Sequence, residues 1–215
     1  MEAKLFWSIY FLATLELLVC IILIWFFKRS YLRNSLLVYL TVTFFQVVLK
    51  TIHTLKLISV QENLIESIEG LYVIFHFYIL SKLITVNLNK KLFFLIINSS
   101  ILFLLFFTFL FVEKSALLNA TICNCLLVLL SLFYYHEFQN KKEFEETVTN
   151  DFYIVTGIFL SSSMLIPILF SAKFLKIYLN EHSFYIVGCI APISSIVYYS
   201  FIIYTIKCNK ENTLD

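Results

Sequence analysis

The sequence predicts an all-α protein, a polytopic membrane bundle of seven transmembrane helices, and three observations point to it. Hydrophobic residues make up 60% of the 215 positions and aromatic residues 18%, and mean hydropathy is +0.89. No water-soluble globule can cover that much apolar surface. The apolar residues fall into segments close to the roughly 20 residues that a helix needs to cross about 30 Å of hydrocarbon, whereas a barrel strand would be half as long and would alternate. Most charged residues collect between these segments rather than inside them. The segments are 5–27, 36–55, 67–86, 92–112, 115–135, 152–172 and 184–206, and together they form a single heptahelical domain with no soluble domain attached.

The first segment is as long as the others and lacks a small-residue cleavage site, so it reads as a retained helix rather than a secretory signal. Glu16 stands at its centre. Ala13 and Cys20 flank it at helical spacing, and such small residues let a neighbouring backbone come close, so Glu16 is expected to face inward.

The second segment organises the rest, because it carries a polar stripe. Tyr39, Thr43, Gln46, Lys50 and His53 follow one another at steps of 4, 3, 4 and 3, and at about 3.6 residues per turn they share one helix face. That face is expected to turn away from lipid, since a membrane-embedded lysine costs roughly 2.5 to 3.5 kcal/mol unless it finds a partner or water. On the third segment Glu69, Tyr72 and His76 share a face in the same way, while Lys82 points elsewhere and snorkels to an interface. Glu16, Lys50 and His76 are thereby expected to meet in one buried ionic cluster, with Gln46 beside it.

Only Glu113 and Lys114 separate the fourth and fifth segments, which predicts a tight hairpin there. Asn124, Ser131 and Tyr135 line one face of the fifth helix. The connection 136–151 is acidic, with Lys141–Glu145 and Lys142–Glu146 pairs that extend the fifth helix by a turn or two, and 137–151 is the candidate contact for a protein partner. Gly157 and Ser161 form a small-xxx-small pair on the sixth helix, and Gly188, Pro192, Ser195 and Tyr199 share a face of the seventh. Ser161, Ser162 and Ser163 with Pro167, and Pro192 with Ser194 and Ser195, mark expected kinks. Two adjacent kinks would frame a cavity lined by Tyr39, Thr43, His53, Glu69, Tyr72, Asn124, Ser163, Ser195 and Tyr199.

Orientation follows from Lys and Arg. With the N-terminus outside, the cytoplasmic side holds Lys28, Arg29, Arg33, Lys90, Lys91, Lys141, Lys142, Lys207 and Lys210, nine residues, and the outer side holds Lys4, Lys56, Lys114, Lys173 and Lys176, five. Lys50 and Lys82 complete the 16. The positive-inside rule therefore predicts N-out, C-in.

Several function classes are disfavoured. The 5 cysteines have no metal-ligand spacing and no plausible outer pair, so they read as small packing residues, and neither a metal nor a cofactor is expected. There is no HExxH, Gly-rich phosphate loop or GxSxG, and Asp151 and Asp215 lie outside the spans, which disfavours intramembrane aspartyl proteolysis and points to a non-enzymatic protein. The seventh segment has no lysine before Lys207, which disfavours a retinal protein. No nucleic-acid partner is implied.

Five stretches carry a family resemblance: Thr43 to Lys50, Tyr72 to Phe77, Leu129 to Tyr135, Asp151 to Leu160, and Tyr199 to Lys210. Through them the chain resembles the small seven-helix integral membrane proteins of Bacteroidetes-type bacteria. The resemblance implies a heptahelical fold and a bacterial inner-membrane location, and it implies no activity. It also implies Glu at the positions that Gln46 and His76 hold here, so that acidic site is not carried over and Glu16 is the candidate replacement.

Two functional expectations stand side by side. In the first, Glu16, Gln46, Lys50 and His76 form a small-ligand or proton-responsive centre in a sensor or accessory subunit that acts through a partner. In the second, the chain is an oligomeric ion-conducting pore or membrane-disrupting effector, linked to bacterial defence, with the second-helix stripe lining water. A bland reading accompanies both, in which the buried charges neutralise one another and fix helix register.

Overall fold

A computed structural model describes residues 2–25, 30–54, 62–85, 90–110, 112–140, 150–178 and 188–211. The described residues form seven helices and no strand: α1 (Glu2–Ile24), α2 (Ser30–Thr54), α3 (Glu62–Thr85), α4 (Lys90–Leu110), α5 (Val112–Asn140), α6 (Asn150–Tyr178) and α7 (Ile190–Glu211). All but α4 hold a stretch long and apolar enough to cross a membrane, six in number, and within α4 the described apolar stretch is Phe93–Phe106.

Several helices run beyond the expected segments, α2 from Ser30, α3 from Glu62, α6 to Tyr178 and α7 to Glu211, and two expected features differ in kind. The described part of α5 starts at Val112, so Glu113 and Lys114 belong to its first turn rather than to a turn between helices. The expected helix 184–206 is interrupted at Cys189, and α7 starts at Ile190. Pro192 thus lies in a first turn, where its missing N–H would have had no helical acceptor, and it opens a helix instead of kinking one. Pro167, by contrast, sits inside α6, which continues from Asn150 to Tyr178. The fifth helix reaches Asn140, beyond the apolar segment that ends at Tyr135, and 141–149 of the acidic connection lie outside the described residues.

The helices close into a ring. α1 packs on α2 and α7, α2 on α3, α3 on α5, α5 on α6 and α6 on α7, while α3 also touches α6 across the middle. α4 stands outside, against α3 and α5. Paired side chains give the directions. Phe93 against Phe133 and Asn119 against Thr108 make α4 and α5 antiparallel neighbours. Tyr153 meets Tyr204 and Gly157 meets Phe201, which does the same for α6 and α7. Along α1 and α7, Phe6 lies by Gly188 and Glu16 by Ser200, so these two helices run in parallel.

Polarity does not mark the inward face of α1, because both of its faces carry apolar side chains. On α1 the buried residues are Ala13, Leu17, Cys20 and Ile24, at steps of 4, 3 and 4, and the exposed ones include Phe11, Leu15, Val19 and Ile22. Hydrocarbon solvates such an outer face as well as protein does, so van der Waals contact and hydrogen bonds must hold the helices together. The α6–α7 seam is the tightest documented contact. A Cβ added at Gly157 would stand 2.8 Å from the Cβ of Phe201 and 3.3 Å from the Tyr198 ring.

Candidate functional site

The polar stripe of α2 does turn inward over part of its length, and there it meets α3. Tyr39 Oη lies 3.2 Å from His76 Nδ1. One turn along, the Tyr72 hydroxyl donates to Thr43 Oγ1 at 3.1 Å, and Thr43 gives its own proton to the Tyr39 carbonyl at 2.8 Å. The i, i+4 spacing of Tyr39 with Thr43 and of Tyr72 with His76 lets two antiparallel helices exchange these contacts in register.

From the other side, α7 brings Tyr198 and Tyr199, both buried. The rings form a continuous edge-to-face or tilted series from α3 through α2 to α7. Tyr72 and His76 are 5.9 Å apart, His76 and Tyr39 5.2 Å, Tyr39 and Tyr198 5.9 Å, and Tyr198 and Tyr199 5.9 Å. These separations fall in the range of favourable aromatic pairs. Yet among the described residues α2 and α7 share no Cα pair within 8 Å. The Tyr39 and Tyr198 rings meet across that interval.

One group in the series is unsatisfied. Tyr198 is 4% exposed, and its hydroxyl has no hydrogen-bond partner. Leaving a buried hydroxyl without a partner costs about 1 to 3 kcal/mol, so such a group calls for a reason. The one hydrogen bond of half-buried His76 among the described residues is that of Nδ1 with Tyr39. His76 and Tyr198 lie near the middles of the apolar stretches 64–85 and 190–207.

The expected ionic cluster of Glu16, Lys50 and His76 is divided among three places. Glu16 Oε1 accepts a hydrogen bond from the Ser200 hydroxyl at 2.7 Å, on the seam between α1 and α7. Lys50 Nζ pairs with Glu69 Oε1 at 3.1 Å, with side chains 53% and 26% exposed. His76 joins the tyrosines. Geometry accounts for the division: Lys50 lies seven residues beyond Thr43, about 10 Å along α2, and so meets the opposite end of the α3 stripe, where Glu69 stands. Glu69 therefore belongs with Lys50 and not with the His76 group.

The other expected lining residues are dispersed. Gln46 and His53 are half-buried on α2 and make no hydrogen bond among the described residues. Asn124 Nδ2 bonds the Ala120 carbonyl of its own helix at 2.8 Å, and Ser195 bonds the Ala191 carbonyl at 3.3 Å. Ser163 is half-buried on α6. Tyr199 is the one residue of the α7 stripe that reaches the central series, and its backbone carbonyl accepts from Cys20 Sγ at 3.6 Å.

Sequence reading missed Tyr198. It adjoins Tyr199 but falls off the Gly188-to-Tyr199 stripe, so only the packing angle of α7 reveals it. The cross-helix pairs Tyr10–Thr51, Asn119–Thr108 and Tyr135–Thr156 went unanticipated too, since each joins residues whose single-helix context is ordinary. Cys20, Cys123, Cys125 and Cys189 are free thiols. Among the described residues no three His, Cys, Asp or Glu side chains gather as a metal-binding set.

Comparison with family models, with curated proteins and with solved structures finds no match.

Proposed function

We propose that this is a multi-pass protein of the bacterial inner membrane, oriented N-out and C-in, that binds a small ligand between α2, α3 and α7 and passes its occupancy to a partner protein. The orientation rests on the asymmetry of lysine and arginine, and the membrane on six long apolar helices. One observation carries the binding reading. The Tyr198 hydroxyl is buried without a partner, and its ring packs against Tyr39, which is bonded to His76. A ligand offering an acceptor there would satisfy that hydroxyl. The partner contact is assigned to 137–151, the end of α5 and the acidic cytoplasmic connection that follows it.

The pore reading draws less support. Tyr39 and Thr43 are occupied with α3, and Lys50 with Glu69, so these three residues of the stripe are engaged by side-chain contacts. Native mass spectrometry of the full chain, released from membranes in mild detergent, tests the binding reading. The expected result is a co-purified small molecule on the wild type that is depleted in Tyr198→Phe and in His76→Gln. Protein of bare mass in all three, with an ion flux into liposomes that Lys50→Ala alters, would overturn it in favour of the pore.

A further inference from the structure

The binding reading leaves the chemistry of the ligand open, and the surroundings of Tyr198 narrow it. Resting on that reading, we infer that the ligand is a neutral, planar ring compound bearing carbonyl oxygens, of the quinone type, and that it enters from the lipid between α2 and α3.

Charge comes first. The groups that touch one another in the series are hydroxyls, an imidazole and aromatic rings, and the ionised side chains nearby have partners of their own. Glu16 holds Ser200 and Lys50 holds Glu69. The one cation nearby is already paired and the Ser200 hydroxyl on Glu16 is neutral, so an anionic ligand would arrive at mid-helix depth with no counter-charge, at a cost of several kcal/mol. A neutral ligand avoids that.

Hydrogen bonding comes next. The Tyr198 hydroxyl has a proton to give and no acceptor. In the tautomer in which Tyr39 donates to His76 Nδ1, the ring proton of His76 sits on Nε2 and is a second donor at the α2–α3 contact. Two donors without acceptors match a ligand rich in carbonyl oxygen rather than an alcohol or an amine. The ring series supplies the remaining contact, because edge-to-face walls accommodate a further planar ring by the same quadrupole preference that orders them.

The entry route follows from how the seams are closed. α6 meets α7 with backbone-adjacent atoms in contact, and α3 meets α5 over a long stretch. α2 meets α3 over a much shorter one, and side-chain bonds fasten it: Tyr39–His76, Tyr72–Thr43 and Lys50–Glu69. Such bonds exchange partners at little cost when an incoming carbonyl offers a replacement acceptor. A lipophilic ring compound already dissolved in the bilayer meets this seam first.

The test uses the full chain in lipid nanodiscs and three probes: 2,3-dimethyl-1,4-naphthoquinone, the carbonyl-free 2,3-dimethylnaphthalene, and the anionic 2-naphthoate. Saturable quenching of intrinsic fluorescence and the shift in thermal unfolding are read together. The quinone is expected to bind saturably and raise the unfolding temperature, and the other two to do neither. Tyr198→Phe should weaken quinone binding about tenfold while the protein stays folded, since the ring remains and one hydrogen bond is lost. Naphthalene binding as tightly as the quinone, or affinity unchanged in Tyr198→Phe, would overturn the ligand class. If no probe binds while a co-purified molecule is still lost from Tyr198→Phe, the inference fails and the binding reading survives. If neither probe nor co-purified molecule responds to the substitution, both fail. For the route, cysteines placed at Val42 and Val73 and crosslinked should slow quinone binding, and unchanged kinetics would refute lateral entry.

Discussion

Tyr198 and Tyr39 are both buried tyrosines in one ring series, and their hydroxyls should respond oppositely to removal. Tyr198→Phe deletes a hydroxyl that has no partner, so unfolding in detergent without added ligand should rise by about 1 kcal/mol. Tyr39→Phe instead strips His76 Nδ1 of its partner, and stability should fall by about 1 kcal/mol. Chemical denaturation of the two variants side by side checks the sign. A protein that keeps the less stable residue at 198 does so for a use other than folding, which is the usual trade between stability and binding. The sequence made Tyr39, Thr43, Tyr72 and His76 legible as two facing stripes, because period and depth are both encoded locally. It could not say which polar residue each one meets. Glu16 finds Ser200, 184 residues away, and nothing in the local pattern of α1 specifies that distance.

At the scale of helices, the seams differ in how they resist change. Gly157→Ala places a methyl group 2.8 Å from the Phe201 Cβ, an atom fixed to the backbone, and should cost about 2 kcal/mol by forcing α6 and α7 apart. Gly188→Ala brings its methyl to 3.6 Å from the Phe6 ring, an ordinary contact, and should leave the unfolding temperature nearly unchanged. Comparing the two in one detergent separates close packing from glycine content. The α2–α3 seam should respond to charge instead. A double-mutant cycle on Lys50→Met and Glu69→Gln should show coupling of up to about 1 kcal/mol, kept small by the exposure of both side chains. The matching cycle on Glu16→Gln and Lys50→Met should be additive, since those residues hold different partners. Helix number and most of the extents could be read from hydropathy, which is a property of single segments. The start of α7 could not, because it rests on the conformation of Cys189 inside an apolar run.

For the whole molecule, the ring order and the parallel pairing of α1 with α7 bear on topology. Alternating directions through seven helices bring the first and last to the same orientation, as observed, and a chain threaded in that way through a bilayer has its two ends on opposite faces. With nine basic residues against five, a reporter fused after Asp215 should be active in the cytoplasm and one inserted between Ser59 and Asn63 should not. Alkaline phosphatase and green fluorescent protein fusions at both points check this together. A periplasmic signal after Asp215 would refute the N-out, C-in assignment.

That closure sets a constraint in time as well as in space. Ribosomes deliver helices in order, so α1 must wait in lipid while the rest of the chain is made, and its Glu16 lies near mid-membrane depth for that whole interval without the Ser200 hydroxyl. An unpartnered carboxyl at such a depth costs roughly 2.5 to 3.5 kcal/mol. The central site has the same dependence, since Tyr198 arrives with the last helix. Until the last helix arrives the acidic group of α1 lacks its hydrogen-bond donor, and α7 supplies it.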